Sequence, residues 1–207
     1  MARVNLNSHM ITASVIITTY NRPDMLRVVL QGFSAQDCSC FEVLIADDGS
    51  PQETAQLLAT LRPQLPFPLT HVWQEDRGFR AAQARNRALA RAQGDYVIFV
   101  DGDCVPLPVF VSTHLRLAQS GWFVAGNRLL LSREFSQRVL EQRIAVHVKP
   151  LTFWLYARAR GWVNRFAPLF TLPDNRFRCA RPTEWRGAKT CNLGAWREDL
   201  LRVNGLD

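Results

Sequence analysis

Apolar positions in the first hundred residues fall into two alternating patterns. Residues 14–19 (SVIITT), 41–46 (FEVLIA), 69–73 (LTHVW) and 97–100 (VIFV) are short, β-branched or aromatic runs with little polar alternation, which predicts strands buried on both faces. Between them apolar residues recur at helical spacing: Met25, Leu26, Val29, Leu30 and Phe33 after Pro23, then residues 51–61, then the Ala- and Arg-rich 79–93, with Gly94 as the expected helix stop. The order βαβαβαβ with short connections predicts an α/β fold built on a doubly wound, mostly parallel sheet. Beyond it the pattern predicts a helix over 108–119, a strand over 122–126, helices within 134–165, a long loop over 166–183, a strand over 185–193 and a helix over 196–203.

The fourth run ends abruptly in Asp101-Gly102-Asp103, so a buried strand delivers two carboxylates to a sheet edge, where open α/β sheets place their ligands. Carboxylates this close repel unless a cation or a hydrogen-bonding ligand compensates. Hard oxygen donors favour Mg²⁺ or Mn²⁺ bridged to substrate phosphates. The same spelling equally fits a strand-end turn with two solvated aspartates. The second run ends in Asp47-Asp48-Gly49-Ser50, a further acidic group at a strand end. The first run is followed by TTYNRP rather than a GxGxxG turn, and no GxxxxGK[ST] occurs, so dinucleotide-binding and P-loop readings lose their main support. What remains is an edge where Tyr20, Asn21 and Asp48 would hold a base and ribose while Asp101 and Asp103 hold a metal on the phosphates.

Composition narrows the class without naming the chemistry. At 207 residues, with 47% apolar and 21% charged residues, the chain is globular. Residues 149–207 hold eleven Lys/Arg against five Asp/Glu, most of the net charge of +7. Such a surplus suits any anionic partner, and no lysine tail or RNA-binding aromatic signature selects nucleic acid. Five cysteines without a CxxC pair read as reduced thiols, Cys104 and Cys191 as small buried apolar groups, and the four histidines have no zinc spacing. No apolar run approaches the ~18 residues of a membrane span and no signal peptide is visible, so a cytoplasmic location is expected. Residues 1–9 read as a leader before Met10.

Four segments, SVIITTYNRP, LIADDGS, GFRAAQARNRAL and YVIFVDGDC, in this order and spacing, resemble the inverting GT-A glycosyltransferases of family 2. The tail EWRGAKTCNLGAWREDLLRVNGLD resembles the same family's acceptor-side segment. The resemblance implies one GT-A-like domain over 10–207, with a nucleotide-sugar half (10–127) and an incomplete acceptor-side half (128–207). It implies that Thr19, Tyr20 and Arg22 line the nucleotide, that Asp48 accepts a hydrogen bond from a uracil N–H, and that Arg85 and Asn86 lie near the nucleotide or pyrophosphate. Asp101 would contact the ribose or metal, Asp103 would ligate Mn²⁺ or Mg²⁺, and Arg80 would contribute. Trp185, Arg186, Gly187, Asn192 and Asp207 are candidates for a sugar or acceptor pocket.

The implied reaction is a single displacement on a UDP-sugar, with a hexose or N-acetylhexosamine passing to a glycan or lipid-linked acceptor with inversion. The nearest resemblance within the family is to bacterial envelope-glycan enzymes. The expected catalytic base falls beyond Asp207, and Glu198-Asp199 reads as a helix's first turn, so no base is assigned. The basic, aromatic stretch 149–165 fits contact with an anionic membrane and equally fits a core-packed helix with solvated arginines. A nucleotidyltransferase and a catalytically silent nucleotide-sugar-binding module are the competing functions.

Overall fold

The computed structural model describes residues 12–170 and 187–206. Its centre is a six-stranded sheet of order β3-β2-β1-β4-β6-β5. The strands β1 (Ala13–Thr19), β2 (Phe41–Asp47), β3 (Leu69–Trp73) and β4 (Tyr96–Asp101) pair in parallel, whereas β6 (Leu193–Trp196) runs antiparallel between β4 and the short β5 (Val124–Ala125). This is the mostly parallel, doubly wound α/β architecture expected from the pattern.

The apolar runs are continuous because both sheet faces are covered. Val15, Ile17, Val43, Ile45, Ile98 and Val100 point to one side, against Leu26, Val29, Leu30 and Phe33 of α1 (Pro23–Ser34), Leu58 of α2 (Gln52–Leu61) and Val111 of α4 (Phe110–Leu117). Ile16, Leu44, Val97 and Phe99 point to the other, against Ala84, Ala88 and Leu89 of α3 (Ala81–Leu89) and Leu200 of α7 (Arg197–Arg202). Two polar residues enter this second face, and each is bonded: Ser14 Oγ donates to Glu42 Oε1 (2.7 Å), which also accepts the Gln93 N–H (2.6 Å). A third apolar cluster lies off the sheet. There α5 (Arg133–Glu141) and α6 (Leu151–Ala159) bury Phe135, Val139, Trp154 and Ala157 with Val146 and Val163, and reach the sheet layer through Val28 of α1.

Three boundaries depart from the sequence pattern. The last strand begins at Leu193, where the pattern predicted its end, because Gly194 must pass Tyr96 and His114: a Cβ there would lie 2.5 Å from the Tyr96 hydroxyl and the His114 ring. Helix α3 starts at Ala81 rather than 79, since Arg80 takes an extended φ of −135° and gives its N–H to Asp48. It also ends at Leu89, so Gly94 is no helix stop. Gly94 is instead pressed against the backbone of Ala13, 2.6 Å from where a Cβ would stand. The helices expected within 134–165 are two, α5 and α6, joined through a 3₁₀ turn at Val146–Val148.

Candidate functional site

The strand order reverses at β1, with β2 on one side and β4 on the other, and ligands of such sheets bind outside the carboxyl ends at this switch point. Register places Thr19 opposite Asp47 and Thr18 opposite Asp101. The acidic groups after β2 and at the end of β4 therefore flank the Tyr20–Arg22 loop, about two strand spacings or ~10 Å apart.

On the β2 side the carboxylates are buried and hydrogen-bonded. Asp47 accepts from the Ser50 N–H (2.8 Å) and contacts His71 Nε2 (2.8 Å); Ser50 Oγ in turn accepts the Asn21 N–H (2.9 Å), which ties the β1 loop to the β2 loop. Asp48, only 3% exposed, accepts from Gln74 Nε2 at 2.6 Å and from the Arg80 N–H at 2.7 Å, so the β3–α3 loop fixes its carboxylate. Tyr20, half exposed, donates its hydroxyl to Asp76 (2.9 Å). That bond and the Asp76 charge raise the Tyr20 pKa, while the Gly78 N–H, followed by the Tyr20 bond, holds Asp76 low. Gly49 makes this approach feasible: its φ is +100°, and a Cβ would sit 2.5 Å from Asp76 Cα.

On the β4 side Gly102 donates its N–H to Thr18 O (2.7 Å), leaving no room for a side chain against Thr18 and Thr19. Asp101, Asp103 and Cys104 present ligand atoms within 4.8 Å of one another. Burial first, then the neighbouring aspartate charges, push the Cys104 thiol up and keep it protonated, so the two carboxylates are the donors fit for a hard divalent cation. Arg85 Nη2 pairs with Asp101 Oδ1 at 3.2 Å. Arg22 forks onto Asp24 (3.0 and 3.1 Å) and also feels Asp103; these partners, Asp24 foremost, raise its pKa.

The structure thus gathers Thr19, Tyr20, Arg22, Asp48, Arg85, Asp101 and Asp103 along one edge. Arg80 contributes its backbone N–H to that edge, while its guanidinium turns to Glu75 O and Gln83. Asn86 does not join them: its amide is taken by the backbone of Leu206, donating to the carbonyl (2.7 Å) and accepting the N–H (2.8 Å). Asn192 stands at the same edge, just before β6, and accepts from His114 Nε2 (2.8 Å); burial drives the pKa of that histidine down to about 4, so it is the neutral ring that donates. Gly187 is exposed with open space about it. Trp185, Arg186 and Asp207 lie outside the described residues. Glu198 and Asp199 are at the opposite edge, since β6 descends to Trp196 opposite Tyr96, and both pair with Arg202.

Sequence reasoning missed Gln74 and Asp76. Both fall in residues 74–78, between the third strand and the helix after it, where the pattern predicts only a loop.

Among known proteins, the chain is similar to a hyaluronan synthase of Pasteurella multocida, with 34% identity over 103 residues, 49% of this chain and 10% of that protein. It is also similar to a GalNAc(5)-diNAcBac-PP-undecaprenol beta-1,3-glucosyltransferase of Campylobacter jejuni, with 29% identity over 138 residues, 62% of this chain and 43% of that protein. Against the crystal structure of Staphylococcus aureus TarS 1-349 in complex with UDP-GlcNAc the identity is 33%, covering 44% of this chain and 26% of the other, with a TM-score of 0.39. The chain spans less than half the length of each of these relatives. The sequence profile of Glycosyl transferase family 2 matches residues 14–177, and the chain belongs to that family.

Proposed function

We propose that this domain transfers a hexose or N-acetylhexosamine from a UDP-sugar to a glycan or lipid-linked acceptor with inversion, in bacterial cell-envelope glycan synthesis. The observation that carries the reading is the convergence of Asp48 and the Asp101/Asp103 pair on either side of the β1 loop. A nucleoside diphosphate spans about that separation, with its base at the end of β2 and its phosphates at the end of β4.

Asp48 receives the base N–H on a carboxylate already fixed by Gln74 and Arg80, so little ordering is needed on binding. Tyr20, braced by Asp76, offers its ring to the base, and Thr19 closes the floor. Asp103 with Asp101 would hold Mn²⁺ or Mg²⁺, whose charge offsets that of the departing diphosphate when bound. Arg85 orients Asp101 for this role. Asn192 and Gly187 border the side from which an acceptor approaches. Asn86 acts at one remove, by anchoring the Leu206 segment beside α3.

Calorimetry with UDP, with and without Mn²⁺, tests the reading: Mn²⁺-dependent binding is expected, and equal UDP–Mn²⁺ affinity in Asp103→Ala would sink the metal role. UDP release from candidate donors above background would separate a transferase from a silent binding module.

Contact with an anionic membrane surface is the second element of the proposal, and α6 favours it. Trp154 and Ala157 face inward, yet Leu151, Leu155 and Tyr156 are about half exposed, so the helix is apolar on both sides. Lys149, Arg158 and Arg160 flank that outer face, which suits a cytoplasmic protein resting on acidic lipid. Among the described residues no helix is long and apolar enough to cross a membrane. Flotation with anionic vesicles tests the contact.

A further inference from the structure

We propose that Arg128 is a further catalytic residue of this site: its guanidinium contacts the donor's diphosphate beside Asp101 and Asp103 and disperses the charge gained by the leaving group. The inference rests on the nucleotide-sugar reading above and adds a cation to it.

Register brings Arg128 to the edge. Phe99 on β4, Leu193 on β6 and Ala125 on β5 lie in one row across the sheet. Because β6 runs opposite to its neighbours, continuing this register two residues past the last paired row sets Asp101, Cys191 and Asn127 abreast, about 10 Å from end to end. The backbone there is pinned. Gly126 donates its N–H to Asn192 O (2.8 Å), and a Cβ on Gly126 would fall 2.1 Å from the Asn192 amide. Asn192 Nδ2 donates to Asn127 O (3.1 Å), while Asn127 Oδ1 accepts both the Arg128 N–H and Arg165 Nη2 at 3.0 Å. His114 holds Asn192 from below. From this clasp the exposed Arg128 side chain meets the Cys191 thiol in the turn before β6, and Cys104 and Asp101 lie within its field; the Cys191 contact foremost, these raise its pKa.

Charge balance gives the cation its task. One divalent ion offsets the two carboxylates and leaves the diphosphate to be compensated. Arg22, Arg80 and Arg85 are engaged with Asp24, with Glu75 O and Gln83, and with Asp101. Arg128 leans on a thiol, a weak partner that a phosphate oxygen outcompetes. As the acceptor oxygen bonds to the anomeric carbon, the bond from that carbon to the diphosphate breaks and its electron pair stays on the departing oxygen. The guanidinium supplies hydrogen bonds to that charge and transfers no proton.

The test is calorimetry of the whole chain with Mn²⁺ and UDP or UMP, with GDP and GMP run alongside so that base preference does not decide the result. Arg128→Ala is expected to weaken diphosphate binding about 10- to 100-fold and monophosphate binding by less than about 3-fold, a range set by one or two charge-assisted hydrogen bonds. Arg128→Lys should recover part of the loss, and where turnover is measured kcat should fall more than KM rises. An unchanged preference for diphosphate over monophosphate in Arg128→Ala overturns the role of Arg128 alone. Failure of the parent chain to bind any of the four nucleotides overturns the nucleotide-sugar reading, and this inference with it.

Discussion

Two parts of the molecule handle charge in opposite ways. Residues 12–126, the sheet and its first helices, carry eleven Asp/Glu against nine Lys/Arg; residues 127–170, the α5–α6 cluster and its approach, carry two against eight. In the first part Glu42, Asp47 and Asp48 are buried, each bonded to two partners, while Asp101 is half-buried and Asp103 exposed at the edge they share. In the second the cations stand outside, with Arg138 and Arg160 over the Trp162 ring and Lys149 over Phe153. A buried, bonded charge has one position and can discriminate a ligand's atoms, whereas an exposed charge on a long stem contributes a field. On the proposed reading the fixed charges of the sheet half recognise a small molecule, and the exposed charges of the helical half attract a surface. Arg128 lies where the two meet.

The largest expected effect breaks the sheet half alone. Asp103→Asn removes one of two hard donors and should lower turnover by about 10²–10³-fold, the scale seen when one preorganised electrostatic partner of a transition state is lost. Mn²⁺ dependence should flatten with it, while vesicle binding through α6 stays at the parent level. Activity assays over a Mn²⁺ titration check this, and an Asp103→Asn enzyme with the parent's metal response would detach the edge from catalysis.

These assignments were legible in the sequence to different depths. Strands β1, β2 and β4 could be read directly because their apolar runs are short, rich in β-branched residues and closed by turn residues, which suits a twice-covered strand better than a buried helix. Asp48, Asp101 and Asp103 followed, since the residue after such a strand lands at the edge whatever the tertiary detail. β6 was misplaced because Leu-Gly-Ala-Trp has weak strand propensity; its position is dictated by the room Gly194 leaves for Tyr96 and His114, a contact no local pattern encodes. The bond of Asn86 to Leu206 was hidden for a similar reason, its partner standing 120 residues away. Gln74 carries no local signal, because its role comes from the bond of its amide to Asp48, 26 residues away.

His114 sharpens the comparison by acidity. It is buried against Tyr96, Phe110 and Asn192, and its pKa falls to about 4, whereas the unfolded chain titrates near 6.5. Between those values the unfolded state binds more protons than the folded one, so stability rises with pH across that window and is lost on acidification through it, by about 3 kcal/mol in total. Denaturant midpoints at pH 7 and pH 4.5 should differ accordingly, and His114→Gln, which keeps a donor to Asn192, should remove most of the difference. An equal pH slope in the variant would place the acid sensitivity elsewhere.

Gly49→Ala tests whether the base side depends on the approach of Asp76. A φ of +100° strains any side chain, and the added Cβ meets Asp76 at 2.5 Å, so a loss of about 2 kcal/mol is expected together with release of the Tyr20–Asp76 bond. Thermal melts measure the first effect. Ultraviolet titration of Tyr20, read against a Tyr20→Phe control, measures the second, because the phenol pKa should return towards its ordinary value once Asp76 withdraws. A melting point equal to the parent's would mean that the loop yields without cost.

The smallest effects belong to the helical half. Each lysine or arginine near an acidic bilayer contributes about 1 kcal/mol, falling off within a Debye length. Lys149→Gln, Arg158→Gln and Arg160→Gln should each weaken flotation with phosphatidylserine vesicles about 5-fold at low salt. High salt should erase the differences between them, because it screens the charges and leaves the Leu151, Leu155 and Tyr156 face untouched. Leu155→Asp should act differently, weakening binding at every salt concentration, since it sets a charge within the apolar contact itself. If the three charge variants float like the parent while Leu155→Asp loses stability instead of lipid binding, the outer face of α6 is covered by protein, and the surplus charge of this half serves the acceptor rather than the membrane.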